Sequence, residues 1–369
     1  MKILFCTNVF EVVENGPVKF ANLLLQLNEL YPQHELRILT EDISAPRPYV
    51  HQVPMPPRWK ASLFSQLIRM WVYHREAMRL RHQYPFDVLV YNNALVGLWS
   101  AHRFRRTVGM INDDNLVEDS SEALGSVSLK NYLKHLAFRL AEKRMAHRAS
   151  QIIVNSDYLK NKIITAYQVP PAKIQRLYKG IELVQPSLPA ADKYQSPVRI
   201  LFVKNDYRRG GLAVLAQALQ VLPFRFELVV IGSNPRDQPA IELLFKNTEN
   251  TTLTVLGKQP QEIVFREMEA CALFCVPSYK EALGVANLEA LARARPVITT
   301  QVGGIPEVLD QGTCGWMVPP GNASALARAI EECLKNPALR TKKIQAGLQQ
   351  TQRFSKEQLL TNFLSLLAS

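Results

Sequence analysis

Short apolar runs and amphipathic stretches alternate along the whole chain. In the first half the runs are KILFCTNV, HELRILT, FDVLVYNN, RTVGMIND, QIIVNS and IQRLYKG; in the second half they are VRILFVK, FELVVIG, TLTVLG, LFCVPS, PVITTQV and GWMVP. Runs this rich in Val, Ile and Leu read as strands buried on both faces, the form expected of a parallel sheet flanked by helices. The stretches KFANLLLQLNEL, SLKNYLKHLAFRLAEKRMAHR, LAVLAQALQVL, NLEALARAR and NASALARAIEECLK carry helical spacing instead. The alternation occurs twice. Between the two sets, residues 181–197 (IELVQPSLPAADKYQSP) have little periodicity and several prolines, as a linker would. A length of 369 residues also suits two cores better than one.

The pattern therefore predicts an α/β protein with two doubly wound, Rossmann-like domains facing a cleft. The boundaries expected are 1–185 for an N-terminal, acceptor-side domain and 186–350 for a C-terminal, nucleotide-sugar-binding domain. A last helix over 351–369 is expected to cross back to the N-terminal domain. In such sheets ligands bind beyond the carboxyl ends of the strands, and a two-domain cleft is the usual place for a small-molecule site.

Charge adds a partner class. Lys and Arg number 44 against 32 Asp and Glu, a net charge of +12, which implies something anionic. The basic residues are dispersed and no nucleic-acid module is recognisable, so no nucleic acid is expected. Cys6, Cys271, Cys275, Cys314 and Cys333 are scattered through apolar segments, as reduced, buried thiols of a cytoplasmic protein would be. Cys271 and Cys275 have no second Cys/His pair to complete a zinc site. The opening MKILFCTNVF reads as a first strand, not a signal peptide, and no apolar run is long enough to cross a bilayer. Residues 60–83 (KASLFSQLIRMWVYHREAMRLRHQ) have two readings: a basic amphipathic helix on an anionic membrane, or a domain helix with its apolar face on the core.

The chemistry concentrates in YKEALGVANLEAL, residues 279–291. A strand ending near Ser278 and a helix stopping before Pro296 make the intervening segment a strand-to-helix loop. Unpaired N–H groups at a helix start, with the helix dipole, form an anion site, and Gly284 lets a phosphate approach the backbone. A carboxylate can accept hydrogen bonds from two adjacent hydroxyls, so Glu281 and Glu289 suit a sugar and a ribose. Two glutamates eight residues apart also suit solvated surface positions, and spacing alone does not choose between these readings.

Residues 276–330 closely resemble the signature region of the family 4, GT-B-fold retaining glycosyltransferases (glycosyl transferases group 1). The shared features, in order, are Glu281 and Glu289 as E-x7-E, the strand at Pro296 and Val297, Gly303-Gly304-Ile305-Pro306-Glu307, and Gly315 to Pro320. The similarity is weaker in the first half, through VNSDYLKNKI and IQRLYKGIEL. The resemblance implies that Glu281 contacts donor-sugar hydroxyls, that Ala282, Leu283, Gly284 and Val285 form the loop meeting the diphosphate, and that Glu289 holds the ribose. A loop carrying Lys204, Arg208 and Arg209 suits a diphosphate. There the chain departs from the family, with Asn205 and Gly210 in place of the usual arginine and lysine. Gly16 takes the place of a two-glycine turn facing the donor. Asn112, Asp113 and Asp114 stand where many relatives have a histidine and an aspartate on the acceptor side, and they equally suit turn-forming residues.

The resemblance further implies transfer of a sugar from a nucleotide-diphosphate sugar to a glycan or lipid-linked acceptor, with retention, in polysaccharide or glycolipid assembly. Glu281, Asp113 and Arg209 are the expected catalytic residues. No cofactor is expected beyond the donor substrate, and no metal, because no Asp-x-Asp motif stands in a suitable loop. The cytoplasm, at the inner face of the membrane, with peripheral contact to anionic lipid, is the expected location. Three alternatives stay open: a sugar-nucleotide epimerase or phosphorylase, a degenerate GT-B protein that binds without transfer, and an anionic-polymer binder.

Overall fold

The computed structural model describes residues 1–11, 16–60, 64–117, 129–186 and 196–368. The chain divides into two compact units, Met1–Lys179 with Leu359–Ser369, and Gly180–Gln358. Residues 187–195, the middle of the expected linker, lie outside the described residues, as does Asn15 of the Asn15–Gly16 turn.

The first unit holds a seven-stranded sheet in the order β3-β2-β1-β4-β5-β6-β7. Its strands are β1 (Lys2–Thr7), β2 (Glu35–Thr40), β3 (Val50–Gln52), β4 (Val88–Tyr91), β5 (Thr107–Ile111), β6 (Gln151–Val154) and β7 (Ile174–Arg176). All neighbouring pairs are parallel. Six of the strands fall inside the expected runs. The seventh, β3, was not expected: Val-His-Gln is too short and too polar to show a period, and its place is set by pairing Val50 with Ile38. The helices are α1 (Gly16–Leu25), α2 (Leu27–Leu30), α3 (Pro57–Lys60), α4 (Ser65–Gln83), α5 (Leu129–Arg148) and α6 (Asp157–Tyr167).

Alternation along the strands divides this unit into two layers. Val88, Val90, Val108, Met110 and Ile153 face a core made with α1 and α2. Leu89 and Tyr91 face α4, and Ile152 and Val154 face α5 and α6. The second unit has a parallel six-stranded sheet in the order β10-β9-β8-β11-β12-β13. These strands are β8 (Val198–Val203), β9 (Phe226–Ile231), β10 (Thr251–Gly257), β11 (Leu273–Val276), β12 (Val297–Thr300) and β13 (Trp316–Val318). Its helices are α7 (Leu212–Gln220), α8 (Gln238–Leu244), α9 (Gln261–Ala270), α10 (Val285–Ala292), α11 (Ile305–Val308), α12 (Ala323–Lys335) and α13 (Pro337–Thr351).

The last helix, α14 (Lys356–Ala368), joins the first unit. Leu359, Leu360, Phe363, Leu364 and Leu367 enter the α1 core, Phe363 stacks edge-on to Phe20 at 6.0 Å between centroids, and Arg106 donates to the Leu367 carbonyl at 2.6 Å. In both sheets the strand order reverses once, between β1 and β4 and between β8 and β11. A reversal opens a crevice at the carboxyl ends of the two strands beside it, because their connections leave in opposite directions.

Candidate functional site

In the second unit the loops leaving β8 and β11 therefore meet at the switch point. The β8 loop runs from Lys204 to Gly211. Asp206 shapes it by accepting the backbone N–H groups of Arg208 and Arg209, each at 3.1 Å. The guanidinium of Arg208 donates to Tyr207 at 3.0 Å and that of Arg209 lies 3.6 Å from Asp206, both side chains being exposed. The Arg209 carbonyl accepts from the N–H of Tyr279 at 2.8 Å, which ties the two loops together. Lys204 lies beneath them, and its ammonium donates to the carboxylate of Glu281. Both side chains are half-buried, so the pair is partly shielded from solvent.

Glu281 is fixed from below. Gly303 has φ 58°, and a Cβ placed there would lie 1.5 Å from the Glu281 carbonyl oxygen. Only glycine permits that approach. The same carbonyl accepts from the N–H of Gly304 at 3.3 Å. The two glycines of the GGIPE segment thus seat the backbone that carries Glu281.

Gly284 begins α10 with φ 92°, and no side chain caps this terminus. The N–H groups of Val285 and Ala286 open the helix, where the dipole favours an anion. Ala282 and the buried Leu283 form the approach to it. A Cβ on Gly284 would lie 2.9 Å from the side-chain nitrogen of Asn287. Asn287 is 4 % exposed, and its Oδ1 has no hydrogen-bond partner. Burying an amide oxygen without a partner is costly, which makes Asn287 a candidate ligand contact. Sequence reasoning passed over it, although an asparagine inside the apolar run VANLEALA is the signal. The buried Ser233 Oγ, at the end of β9, is likewise without a partner. Two residues beyond Asn287, the Glu289 carboxylate accepts from Gln261 Nε2 at 3.1 Å. Gln261, the first residue of α9, was also not anticipated.

The first unit treats its expected residues differently from one another. Asn112 donates to the carbonyl and side-chain oxygens of Asn92 at 2.8 and 3.3 Å, and its own carbonyl accepts from Asn155 at 2.8 Å. These amides stitch together the carboxyl ends of β4, β5 and β6. Asp113 is exposed and accepts the Asn115 N–H at 3.0 Å. Asp114 is 1 % exposed and is held by Tyr158 at 3.0 Å and Lys162 at 2.5 Å, a pairing that fastens the β5 loop to α6. Gly16 is the first residue of α1. Glu142 on α5 lies buried with Tyr167 donating to it at 2.7 Å. Burial raises its carboxyl to about 7, the Tyr167 hydrogen bond opposes this, and the nearby Asp113 charge adds to it.

The structure thus brings Lys204, Arg208, Arg209 and residues 281–285 to one strand-end site, with Glu289 on the helix that leaves it. Asn112, Asp113 and Asp114 belong to the other unit. Among the described residues no group of three or more His, Cys, Asp or Glu side chains is arranged to hold a metal ion. All five cysteines are buried and none forms a disulfide.

The chain matches the family described as glycosyl transferases group 1 over residues 187–350, and glycosyltransferase family 4 over residues 21–185. It is 30% identical over 180 residues to the amylovoran biosynthesis glycosyltransferase AmsK of Erwinia amylovora, covering 46% of this chain and 44% of that one. Over 349 residues it is 24% identical to a D-inositol 3-phosphate glycosyltransferase of Nocardioides sp., covering 84% and 73%. The chain spans about half the length of several curated relatives it matches. Sucrose-phosphate synthase of Thermosynechococcus elongatus superposes with TM-score 0.77 at 19% identity, covering 99% and 98% of the two chains. Anabaena HepE in complex with UDP-glucose does so with TM-score 0.73 at 17% identity, covering 100% and 99%. These two likenesses establish the fold, two Rossmann-like units of GT-B type. With its two halves matched in turn by the two family descriptions, the chain belongs to the family 4, group 1 glycosyltransferases.

Proposed function

We propose that the protein transfers a sugar, with retention and without a metal ion, from a nucleoside-diphosphate sugar to a glycan or lipid-linked acceptor. The pathway is polysaccharide or glycolipid assembly at the cytoplasmic face of a membrane. The observation that carries this reading is the Lys204–Glu281 pair beside the uncapped start of α10. It sets a cation, a carboxylate and a helix terminus at one strand-end crevice. An ammonium and backbone N–H groups suit a diphosphate, and a carboxylate suits sugar hydroxyls.

In this reading Lys204, the N–H groups at Gly284 and Val285, and the exposed Arg208 and Arg209 take the diphosphate. Glu281 accepts from donor-sugar hydroxyls, and Glu289, oriented by Gln261, accepts from the ribose. The bond between the anomeric carbon and the diphosphate oxygen breaks while the acceptor hydroxyl oxygen bonds to that carbon on the same face. The acceptor's proton passes to a departing diphosphate oxygen. Cations and helix dipole stabilise the charge growing on the leaving group, the kind of term that dominates many enzymes. Lys204, Arg208 and Arg209 supply the positive charge that a metal provides elsewhere. Asp113 is the exposed carboxylate on the acceptor side. Asp114, held by Lys162, positions that loop.

The test is thermal stabilisation by UDP, GDP, ADP and their sugars, on the wild type and on Glu289→Ala. The expected result is a shift selective for one nucleotide that Glu289→Ala loses. No shift from any of them in folded protein overturns the reading. With the donor identified, product NMR reads the anomeric configuration, and a chelator is expected to leave the rate unchanged.

A further inference from the structure

A strand at the end of a sheet carries a row of unpaired N–H and C=O groups. Proteins blunt such edges by keeping them short, charging them or placing proline in them. Among the described residues the two sheets end in four edge strands. Three of them, β3, β7 and β13, are three residues long. The fourth, β10, runs for seven residues, Thr251–Gly257, with no proline and no charged side chain. A register shift between Val255 and Gly257 lies at its carboxyl end and leaves residues 251–255 in regular pairing with β9.

The register shows which backbone groups are open. The Phe226 N–H donates to the Asn250 carbonyl at 2.8 Å, and Phe226 stands opposite Thr251. In a parallel pair this phase turns the N–H and C=O groups of Thr252 and Thr254 towards β9, and those of Thr251, Leu253 and Val255 outward. The Thr251 N–H is taken by the Thr248 carbonyl at 3.1 Å. Among the described residues nothing bonds to the backbone of Leu253 or Val255 from the outer side. Side chains alternate across the strand, with Thr252 and Thr254 exposed and Leu253 and Val255 half-buried.

We propose that β10 pairs antiparallel with β10 of a second copy of the chain, about a two-fold axis at Leu253, and joins two six-stranded sheets into one. A two-fold contact must be complementary to itself, and this strand is. With Leu253 opposite Leu253 of the second copy, the outward-facing residues of the two strands meet, and N–H faces C=O along the pair. Thr252 stands opposite Thr254 of the second copy, a favourable cross-strand pair. The antiparallel direction also brings Glu249, just before the strand, beside Lys258 of the second copy, just after it, at both ends of the contact. Both side chains are exposed, and neither has an ion-pair partner among the described residues. Glu242, Lys246, Glu249 and Lys258 are the charged residues of the segment 238–258, so in a chain of net charge +12 this segment carries no net charge and two copies meet there without repulsion. The pairing does not depend on the transferase reading.

Sedimentation velocity on the full chain, from micromolar to near-millimolar concentration, with amide hydrogen exchange on the same samples, tests it. The expected result is a monomer–dimer equilibrium in which the Leu253 and Val255 amides exchange more slowly as the dimer forms. Thr252→Lys/Thr254→Lys sets like charges opposite one another across the axis, and is expected to raise the dimer dissociation constant by roughly a hundredfold while keeping the thermal midpoint of the wild type. Glu249→Lys is expected to raise it by about tenfold, and Glu249→Lys/Lys258→Glu to restore it, which keeps the test open should the threonine variant not fold. A monomer at every concentration overturns the proposal. So does a dimer that the folded variants leave intact. Protection of the Leu253 amide in dilute, monomeric protein overturns it too, by showing another segment of the same chain on the edge.

Discussion

The ammonium of Lys204, one residue past β8, is bonded to the carboxylate of Glu281 in the β11 loop, 77 residues further along the chain. The family's usual lysine in the β8 loop is replaced by Gly210, where a Cβ would lie 2.5 Å from the Phe202 ring and 3.0 Å from the Lys204 side chain. In the proposed reading Lys204 supplies the cation from a different position. Lys204→Met is expected to lower kcat/KM by roughly 10²–10³, the usual loss when a charge-stabilising group is removed. Lys204→Arg is expected to recover part of it. Steady-state kinetics with the identified donor checks both.

Gly303→Ala forces a methyl onto the Glu281 carbonyl at a φ that side chains rarely adopt. The β11 loop must move. A stability loss of about 2–4 kcal/mol is expected, together with weaker nucleotide binding because Glu281 and the start of α10 shift. Denaturant titration and calorimetry read the two effects on one sample.

Asn287→Leu replaces a buried amide, whose Oδ1 lacks a partner, with a side chain of similar shape. The free protein is expected to gain about 1 kcal/mol. Affinity for the nucleotide sugar is expected to fall about tenfold, the loss of one hydrogen bond in a buried site. A variant that loses stability while binding the donor normally would make Asn287 a packing residue only.

Burial holds the Glu142 carboxyl near 7 in the folded protein, against about 4.3 in an unfolded chain. Below about pH 4.3 both states are protonated, and the neutral carboxyl contributes no penalty. As pH rises from there towards 7 the unfolded state loses its proton first, so stability falls, by an amount on the order of 3 kcal/mol. Glu142→Gln keeps a partner for Tyr167 and removes that slope. The difference in unfolding free energy between wild type and variant across this range is the measurement.

Much of the fold was legible because its strands are buried on both faces. Runs such as VRILFVK and FELVVIG show no polar period; six of the seven strands in the first sheet and all six in the second fell on the expected runs, the edge strands β7 and β10 being only partly buried. β3 was not legible, since three residues paired at a sheet edge leave no pattern. The placement of the candidate site was legible through the family resemblance: Glu281, Gly284 and Glu289 fall on one loop and helix, and the glycine pair of the next loop seats Glu281. At Asn112, Asp113 and Asp114 the same residue types serve turns, strand-end stitching and a buried ion pair, so the sequence left their roles open.

The sequence by itself determined the two α/β units, the strand-to-helix loop that opens α10 and the family, because burial and helix termini impose local patterns. Tertiary structure decided what local pattern cannot carry. It joined Lys204 to Glu281 across β8 and β11, placed Gln261 on Glu289, buried Asp114 against Lys162, and left Asn287 with an unpaired oxygen. It also turned the leucines of α5 outward while the matching side of α4 went into the core. An amphipathic stretch states that one face is apolar. Which neighbour covers that face, or whether any does, depends on strands and helices distant in the chain.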